Sequence, residues 1–83
     1  MNNQRLKIKD IYYEVAAHML REGQTSNTDI RVNMNDAVDY WRKEGYKVRD
    51  YSQEQAIKSI KKILHTGRKL ENSYLRAWYY AGH

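Results

Sequence analysis

The first regular pattern along the chain is helical and runs from residue 10 to residue 22. Its apolar residues recur three and four positions apart, so that they share one wide arc of a helix: Ile11, Tyr12, Val15, Ala16, Met19 and Leu20. An apolar arc of this width is typical of a largely buried helix. Asp10 is expected to cap the first turn, and Gly23 to end the helix, because glycine adopts a left-handed backbone at low cost.

A period of two replaces the helical period in other short stretches. Residues 28–34 alternate, with three apolar side chains on one side and polar ones on the other, which predicts a half-buried strand. Residues 46–51 predict a second strand, and the alternation in residues 5–9 allows a third.

Two further helices are predicted, each with a recognisable start. Asn33 is expected to cap a helix that ends before Gly45, where a left-handed backbone is needed. The apolar face of that helix is formed by Met34, Ala37, Val38 and Trp41. Ser52 is expected to cap helix 52–65 by accepting the backbone N–H of Gln55, whose side chain would reach back. Five residues form the apolar face of helix 52–65: Ala56, Ile57, Ile60, Ile63 and Leu64.

The last periodic segment, residues 70–81, predicts a fourth helix that carries many aromatic rings. Together these elements predict the α+β class: a small helix-rich single domain spanning residues 1–83, with about four helices and two or three short strands. Tyr79 and Tyr80 cannot both face inward together with Trp78, so at least one ring is expected to be exposed. An exposed tyrosine there could stack on a nucleobase or anchor a protein partner.

Composition limits what can stabilise this fold. The chain has no cysteine, which excludes disulfides and thiolate metal sites, and it has eight tyrosines and two tryptophans but no phenylalanine. Amphipathic rings are therefore expected to fill much of the core. No apolar run approaches the roughly 18 residues of a membrane span, and residues 1–10 lack the apolar stretch of a signal peptide. A soluble cytoplasmic protein without a membrane partner is expected.

Positive charge is concentrated in the second half of the chain. Residues 1–41 hold five basic and six acidic side chains, whereas residues 42–83 hold ten basic and four acidic ones, which gives net charges of −1 and +6. Such an asymmetry points to an acidic partner rather than to a particular fold.

The densest basic segment is KSIKKILHTGRK, residues 58–69, and residues 55–70 contain no acidic side chain. Its cations are candidate phosphate contacts, because each one that reaches a phosphate releases a counterion. These candidates are Lys58, Lys61, Lys62, Arg68 and Lys69. Arg31 and Arg49 are candidate base contacts. The patch would be wider if the second strand lies beside helix 52–65, through Arg42, Lys43, Lys47 and Arg49. The alternative is that the lysines are simply the solvated outer face of an amphipathic helix.

Features of an enzyme are nearly absent from the sequence. The four glycines are isolated, so they form no phosphate-binding loop. Glu14, His18 and Glu22 share one helix face at a spacing that fits a metal site but is more common for exposed, helix-spaced ion pairs. His65 has no positioned acid or base partner in the sequence. A non-enzymatic protein with no catalytic residue, no metal and no cofactor is therefore expected.

Residues 29–64 resemble the ribbon-helix-helix family, in which an alternating strand leads into a helix, a turn and a second, capped helix. The resemblance implies a DNA-binding homodimer whose outward strand residues enter the major groove, and these would be Asp29, Arg31 and Asn33. The long, strand-like segment after Gly45 departs from the family pattern, and Asp29 would face phosphates. The resemblance therefore does not assign the family.

Two functions follow as hypotheses. The first is a small nucleic-acid-binding protein, with a regulatory role as one option, that uses a basic helix face. The second is a small inhibitor or adaptor of the kind that phages and other mobile elements carry, for example an anti-CRISPR-like inhibitor of a nucleic-acid-handling machine. It would set its lysines against an acidic surface of a protein or ribonucleoprotein and use exposed aromatic rings as anchors. The choice among DNA, RNA and protein, and the formation of a homodimer, stay open.

Overall fold

Three helices form most of residues 4–66, the part of the chain that the computed structural model describes. Helices α1 (Ile8–Glu22), α2 (Asn27–Lys43) and α3 (Gln53–Thr66) each pack against the other two. None of these described helices is long and apolar enough to cross a membrane. The protein is therefore mostly helical in this part, as the sequence predicts, while the predicted helix 70–81 lies outside the described residues.

Two very short strands join this helical arrangement. Strand β1 (Arg5–Leu6) precedes α1, and strand β2 (Lys47–Val48) lies between α2 and α3. They pair in parallel, with Arg5 opposite Lys47 and Leu6 opposite Val48. The strands expected in residues 5–9 and 46–51 are confirmed, although each is only two residues long.

Helix α1 ends where the sequence predicts but begins earlier. Lys7, not Asp10, is the N-cap residue, and no side chain caps it. Asp10 lies in the first turn, where a carboxylate interacts favourably with the helix dipole. Gly23 ends the helix in the left-handed conformation, at a φ of 68°. The next amide, that of Gln24, bonds back to the Met19 carbonyl at 2.9 Å, which completes a Schellman-type end.

The strand predicted for residues 28–34 is wrong, because this segment is the first half of α2. Ile30 and Met34 are fully buried, and their spacing of four residues fits a helix as well as a strand. The exposures of Val32 and Asn33 distinguish the helical pattern from the strand pattern. Val32, which a strand would bury, is 53% exposed, and Asn33, which a strand would expose, is 6% exposed. The apolar face of α2 therefore follows the helical period from its first turn.

The true start of α2 is a reciprocal capping box. The Ser26 hydroxyl accepts the Asp29 backbone N–H at 3.0 Å, and the Asp29 carboxylate accepts the Ser26 N–H at 3.3 Å. Asn33, predicted as the cap, lies inside the helix instead. Its side-chain amide donates to the Asp29 carbonyl and to the Gln24 side chain, both at 2.8 Å. These bonds satisfy a buried amide and attach the α1–α2 turn to α2.

Helix α3 confirms the predicted inner face but only half of its predicted cap. The Ser52 hydroxyl accepts the Gln55 N–H at 3.0 Å. The Gln55 side chain, however, donates to Ser59 one turn further along instead of reaching back. Ala56 and Ile60 are fully buried. The inward side of α3 is therefore set by apolar spacing, independently of the second half of the cap.

The core between the helices is more aliphatic than the composition suggests. Among the described side chains, Tyr12 and Trp41 are the only buried aromatic ones, and the rest of the buried core is aliphatic or methionine. Trp41 makes edge-to-face contacts with Tyr40 at 4.9 Å and with Tyr46 at 5.2 Å between ring centroids. Most tyrosines of the described part thus surround the core rather than fill it, because burying a ring also buries a hydroxyl that needs a partner.

Candidate nucleic-acid interface

The three lysines predicted on α3 are all exposed. Lys58, Lys61 and Lys62 lie within about 100° of arc, taking 3.6 residues per turn. None of them forms an ion pair with another residue of the described part. The other cations predicted at this site, Arg68 and Lys69, and the aromatic pair Tyr79 and Tyr80, lie outside the described residues.

Arg49 connects two concave surfaces next to these lysines. The first, which we call the strand groove, lies along the β1–β2 pair, has a volume of about 510 Å³ and is lined by Arg5, Leu6, Arg42, Tyr46, Lys47, Val48 and Arg49. The second, which we call the helix groove, lies between α1 and α3, has a volume of about 380 Å³ and is lined by Ile8, Lys9, Tyr12, Tyr13, Arg49, Ser59, Lys62 and Ile63. Arg49 lines both grooves, so the two are adjacent.

The strand groove contains a pair of like charges. The register sets Arg5 directly opposite Lys47, and adjacent strands lie only about 4.8 Å apart. Both side chains are exposed, and like charges directly opposite each other repel. A bound anion would relieve this repulsion.

Arg42 has a different role in the strand groove. Its guanidinium donates to the Val48 carbonyl at 2.9 Å and lies 3.6 Å from the Asp50 carboxylate. These contacts attach β2 to the end of α2. Arg42 is therefore largely engaged by the protein, and Arg5, Lys47 and Arg49 are the cations of this groove that stay available to a ligand.

The helix groove brings together cations from three separate elements. Lys9 comes from the first turn of α1, Arg49 from the segment after β2, and Lys62 from the middle of α3. All three are exposed, and no acidic residue of the described part lines this groove. Buried Ile8 and Ile63 give the groove an apolar floor. The arrangement suits a ligand that is negatively charged on one side and apolar on the other.

Tyr12 is the unusual residue of the helix groove. Its side chain is 6% exposed, and its hydroxyl has no hydrogen-bond partner within the part of the chain that the structure describes. Burial raises the pKa of this hydroxyl above 10.0, while the positive charge of Arg49 acts in the opposite direction. An unpaired buried hydroxyl costs about 1–3 kcal/mol. Tyr12 therefore keeps a hydrogen-bonding group, within reach of the charge of Arg49, that no residue between 4 and 66 satisfies.

Tyr51 shows that this region can satisfy a hydroxyl. The Tyr51 hydroxyl donates to the Asn35 side chain at 2.7 Å, and the Gln53 amide donates to the same oxygen at 2.9 Å. Burial raises the pKa of Tyr51, and hydrogen bonding to Gln53 and the charge of Arg42 lower it. Trp41 Nε1 and Gln53 Oε1 are likewise buried without a partner in residues 4–66, so the contrast separates Tyr12 from Tyr51 and not the helix groove from the rest of the protein.

The structure does not bring Arg31 to either groove. Arg31 is exposed on α2 and belongs to neither set of lining residues. The strand that would place Asp29, Arg31 and Asn33 in a major groove does not exist, because these residues are helical, Asp29 completes the capping box and Asn33 is buried. The ribbon-helix-helix geometry therefore loses its structural basis, while a homodimer stays a prediction.

The helix-spaced acids and histidine of α1 do not form an exposed stripe. Glu14 is completely buried, His18 is half-buried and Glu22 is exposed. Within residues 4–66, no group of three His, Asp or Glu side chains is placed to hold a metal ion. The three side chains therefore lie in different environments, in contrast to the predicted row of surface ion pairs.

Sequence reasoning finds Lys62 and Arg49 but misses Arg5 and Lys9 as site residues. Both lie in the first half of the chain, whose net charge is −1, so the charge asymmetry directs attention away from them. The sequence feature that could have identified Arg5 is the short alternation in residues 5–9, because a strand there can pair with the strand that precedes Arg49.

A scan of protein-family models finds no match to this chain, and searches of curated proteins and of solved structures likewise find no significant match.

Proposed function

We propose that the protein binds nucleic acid through a basic surface centred on Arg49. This surface comprises the available cations of the two grooves, Arg5, Lys9, Lys47, Arg49 and Lys62, together with Lys58 and Lys61 beside them on α3. The observation that carries the proposal is the convergence of Lys9, Arg49 and Lys62 on one groove that no described acid lines.

Cations that come from separate elements support a binding site more strongly than lysines along one helix do. Lysines on the outer face of an amphipathic helix keep a protein soluble and need no partner. Lys9, Arg49 and Lys62 instead reach one groove through tertiary packing, and like charges brought to one groove repel one another. Phosphates spaced along a nucleic acid would neutralise the grooves and the helix face together.

Salt dependence gives the first quantitative test. If the five groove cations each contact a phosphate, the logarithm of the association constant falls with the logarithm of salt concentration with a slope of about −3.5 for a single strand and −4.5 for a duplex. Fluorescence anisotropy with labelled single-stranded and duplex oligonucleotides, between about 50 and 200 mM salt, measures this slope.

A matched pair of charge reversals locates the surface. Lys62→Glu and Lys43→Glu each lower the net charge by two units from +5, so non-specific attraction falls equally. Lys62 lines the helix groove, whereas Lys43 is exposed on α2, pairs with Asp39 and lines neither groove. Lys62→Glu is expected to weaken binding by about tenfold and to reduce the salt slope by about one, whereas Lys43→Glu changes binding by less than about threefold. Equal effects of the two variants contradict the proposed surface.

The same titration bears on the second hypothesis, in which the protein is an inhibitor that binds an acidic protein surface instead of nucleic acid. Its aromatic anchors, Tyr79 and Tyr80, lie outside the described residues. Absence of binding to both oligonucleotides at about 50 mM salt would reject the nucleic-acid proposal.

A further inference from the structure

We propose that the helix groove holds one nucleotide of a single-stranded nucleic acid, with the phosphate between Lys9, Arg49 and Lys62 and the base against the ring of Tyr13. This inference rests on the proposed function and adds the substrate class and a subsite. The ligand chemistry is a phosphodiester joined to an unpaired base, and this is shared by single-stranded DNA and RNA.

The shape and lining of the groove favour a nucleotide over a bare phosphate. Its volume of about 380 Å³ lies within the range of about 300–1,000 Å³ that is typical of small-molecule sites. Its lining combines three cations with two tyrosines and an isoleucine floor, so one part suits a phosphate and another an aromatic ring. Tyr13 is half-buried, which leaves part of its ring exposed for stacking.

A duplex cannot use such a groove in the same way. Its bases are stacked and paired inside the helix, so a groove of this size meets only the backbone unless a base is flipped out. A single strand presents each base without the cost of unpairing, and every base has a face that stacks on a tyrosine. The aromatic lining is therefore useful for a single strand and nearly neutral for a duplex.

Tyr12 provides independent support for a polar ligand in this groove. Its side chain is more than nine-tenths buried, lines the groove and carries a hydroxyl without a partner in residues 4–66. Buried polar groups in folded proteins nearly always have partners, and an exception calls for a functional or structural reason. Arg49 is exposed and close enough for its charge to act on this hydroxyl. The hydroxyl oxygen is itself covered in the free protein, so a phosphate oxygen would accept from it only after a covering side chain moves aside.

The test compares a short single strand of thymidines, its uridine counterpart and a duplex of equal length, each with the wild-type chain and with Tyr13→Leu. Leucine keeps an apolar side chain at the groove but removes the aromatic face. Tyr13→Leu is expected to weaken single-strand binding by about five- to a hundredfold and to leave duplex binding within about twofold. Tyr40→Leu is the control, because Tyr40 is also half-buried but contacts Trp41 on α2 and lines neither groove.

A ligand control uses the same phosphates without bases. A single strand that carries abasic sites should bind the wild-type chain about as weakly as an intact strand binds Tyr13→Leu.

Tyr12→Phe adds a measurement that damage to the fold cannot imitate. It is expected to weaken single-strand binding by about two- to tenfold while raising the thermal midpoint, because it removes a buried hydroxyl that has no partner within residues 4–66.

The outcomes separate this inference from the proposed function. If Lys62→Glu weakens binding but Tyr13→Leu and Tyr40→Leu behave alike, the nucleotide subsite is refuted and the basic surface stands. Equal binding of abasic and intact strands refutes the subsite in the same way. If neither strand nor duplex binds at low salt, both proposals fail. Circular dichroism of each variant confirms that the compared proteins are folded.

Discussion

The turn between α1 and α2 and the groove between α1 and α3 treat buried polar groups in opposite ways. At the turn, the Asn33 amide has two acceptors, and Ser26 and Asp29 satisfy each other. At the groove, the Tyr12 hydroxyl has no partner within residues 4–66, and no described acid lines the groove together with its cations. Both regions border the same apolar core.

This difference indicates a division of roles within one small domain. Polar groups that already have hydrogen-bond partners contribute to folding and have no free donor or acceptor for a ligand. Unpaired hydrogen-bonding groups and clustered like charges lower the stability of the free protein, and a ligand that satisfies them recovers this loss as binding free energy. The turn is therefore expected to lose stability when its polar groups are removed, and the groove to gain it.

The largest expected effect is at the turn. Asn33→Ala removes a buried amide that bonds both Gln24 and the Asp29 carbonyl, so it is expected to lower the free energy of unfolding by about 1–3 kcal/mol. Urea denaturation measures this change. Thr28→Ala, at an exposed position in the first turn of α2, is the control and should change stability by less than about 0.5 kcal/mol. An equal effect of both variants would remove the distinction between the two regions.

The second expected effect is a dependence on alkaline pH that originates at the groove. Burial raises the pKa of Tyr12 above 10.0, so the folded protein holds this proton to higher pH than the unfolded chain does. The resulting stability is fully present below about pH 10 and is lost as the pH rises through the folded pKa.

Tyr12→Phe tests this dependence directly, since phenylalanine cannot ionise and the hydroxyl has no hydrogen bond to lose within the described part of the chain. Urea unfolding at about pH 9 and pH 11 should show a smaller loss of stability in the variant than in the wild-type chain. Parallel losses in the two proteins would show that the Tyr12 hydroxyl is not the source.

The smallest expected effect concerns the like charges of the strand groove. Lys47→Gln removes one member of the Arg5–Lys47 pair and keeps the length of the side chain close to the original. It is expected to raise the free energy of unfolding by about 0.5 kcal/mol or less at low salt, and the gain should disappear near 1 M salt because the charges are then screened. A loss of stability at low salt would mean that Lys47 is held by an attractive contact instead.

Local sequence signals account for most of the helices. The apolar periods of α1 and α3, the left-handed Gly23 and the Ser52 cap all act within about one or two turns, so a short stretch of sequence contains them. The sequence pattern predicts the start of α2 too late in the chain, and the reason is physical. Residues four apart lie on one side of both a helix and a strand, so Ile30 and Met34 fit either. The Ser26–Asp29 pair distinguishes them, since a capping box has a meaning only for a helix.

The residues of the candidate site are harder to predict from local sequence than the helices are. Lys62 and Arg49 stand out because they lie in a basic half of the chain, but the sequence predicts Arg31 with equal reason, and α2 carries it away from both grooves. Lys9 belongs to the site because α1 packs against α3, and Arg5 because β1 pairs with β2 about 40 residues later. The alternation in residues 5–9 predicts a strand but not its partner, and the packing of α1 on α3 leaves no trace in the residues next to Lys9.

The sequence by itself determined which side of α1 and of α3 is apolar, where these helices end and how much positive charge the chain carries, because side-chain period, caps and ionisation are local properties. Only the tertiary structure decided that three of the cations share a groove, that Arg5 faces Lys47 and that Tyr12 is buried without a partner in the described part. Each of these depends on the packing of segments distant along the chain, and that packing is selected by the burial of the whole apolar core rather than by any one segment.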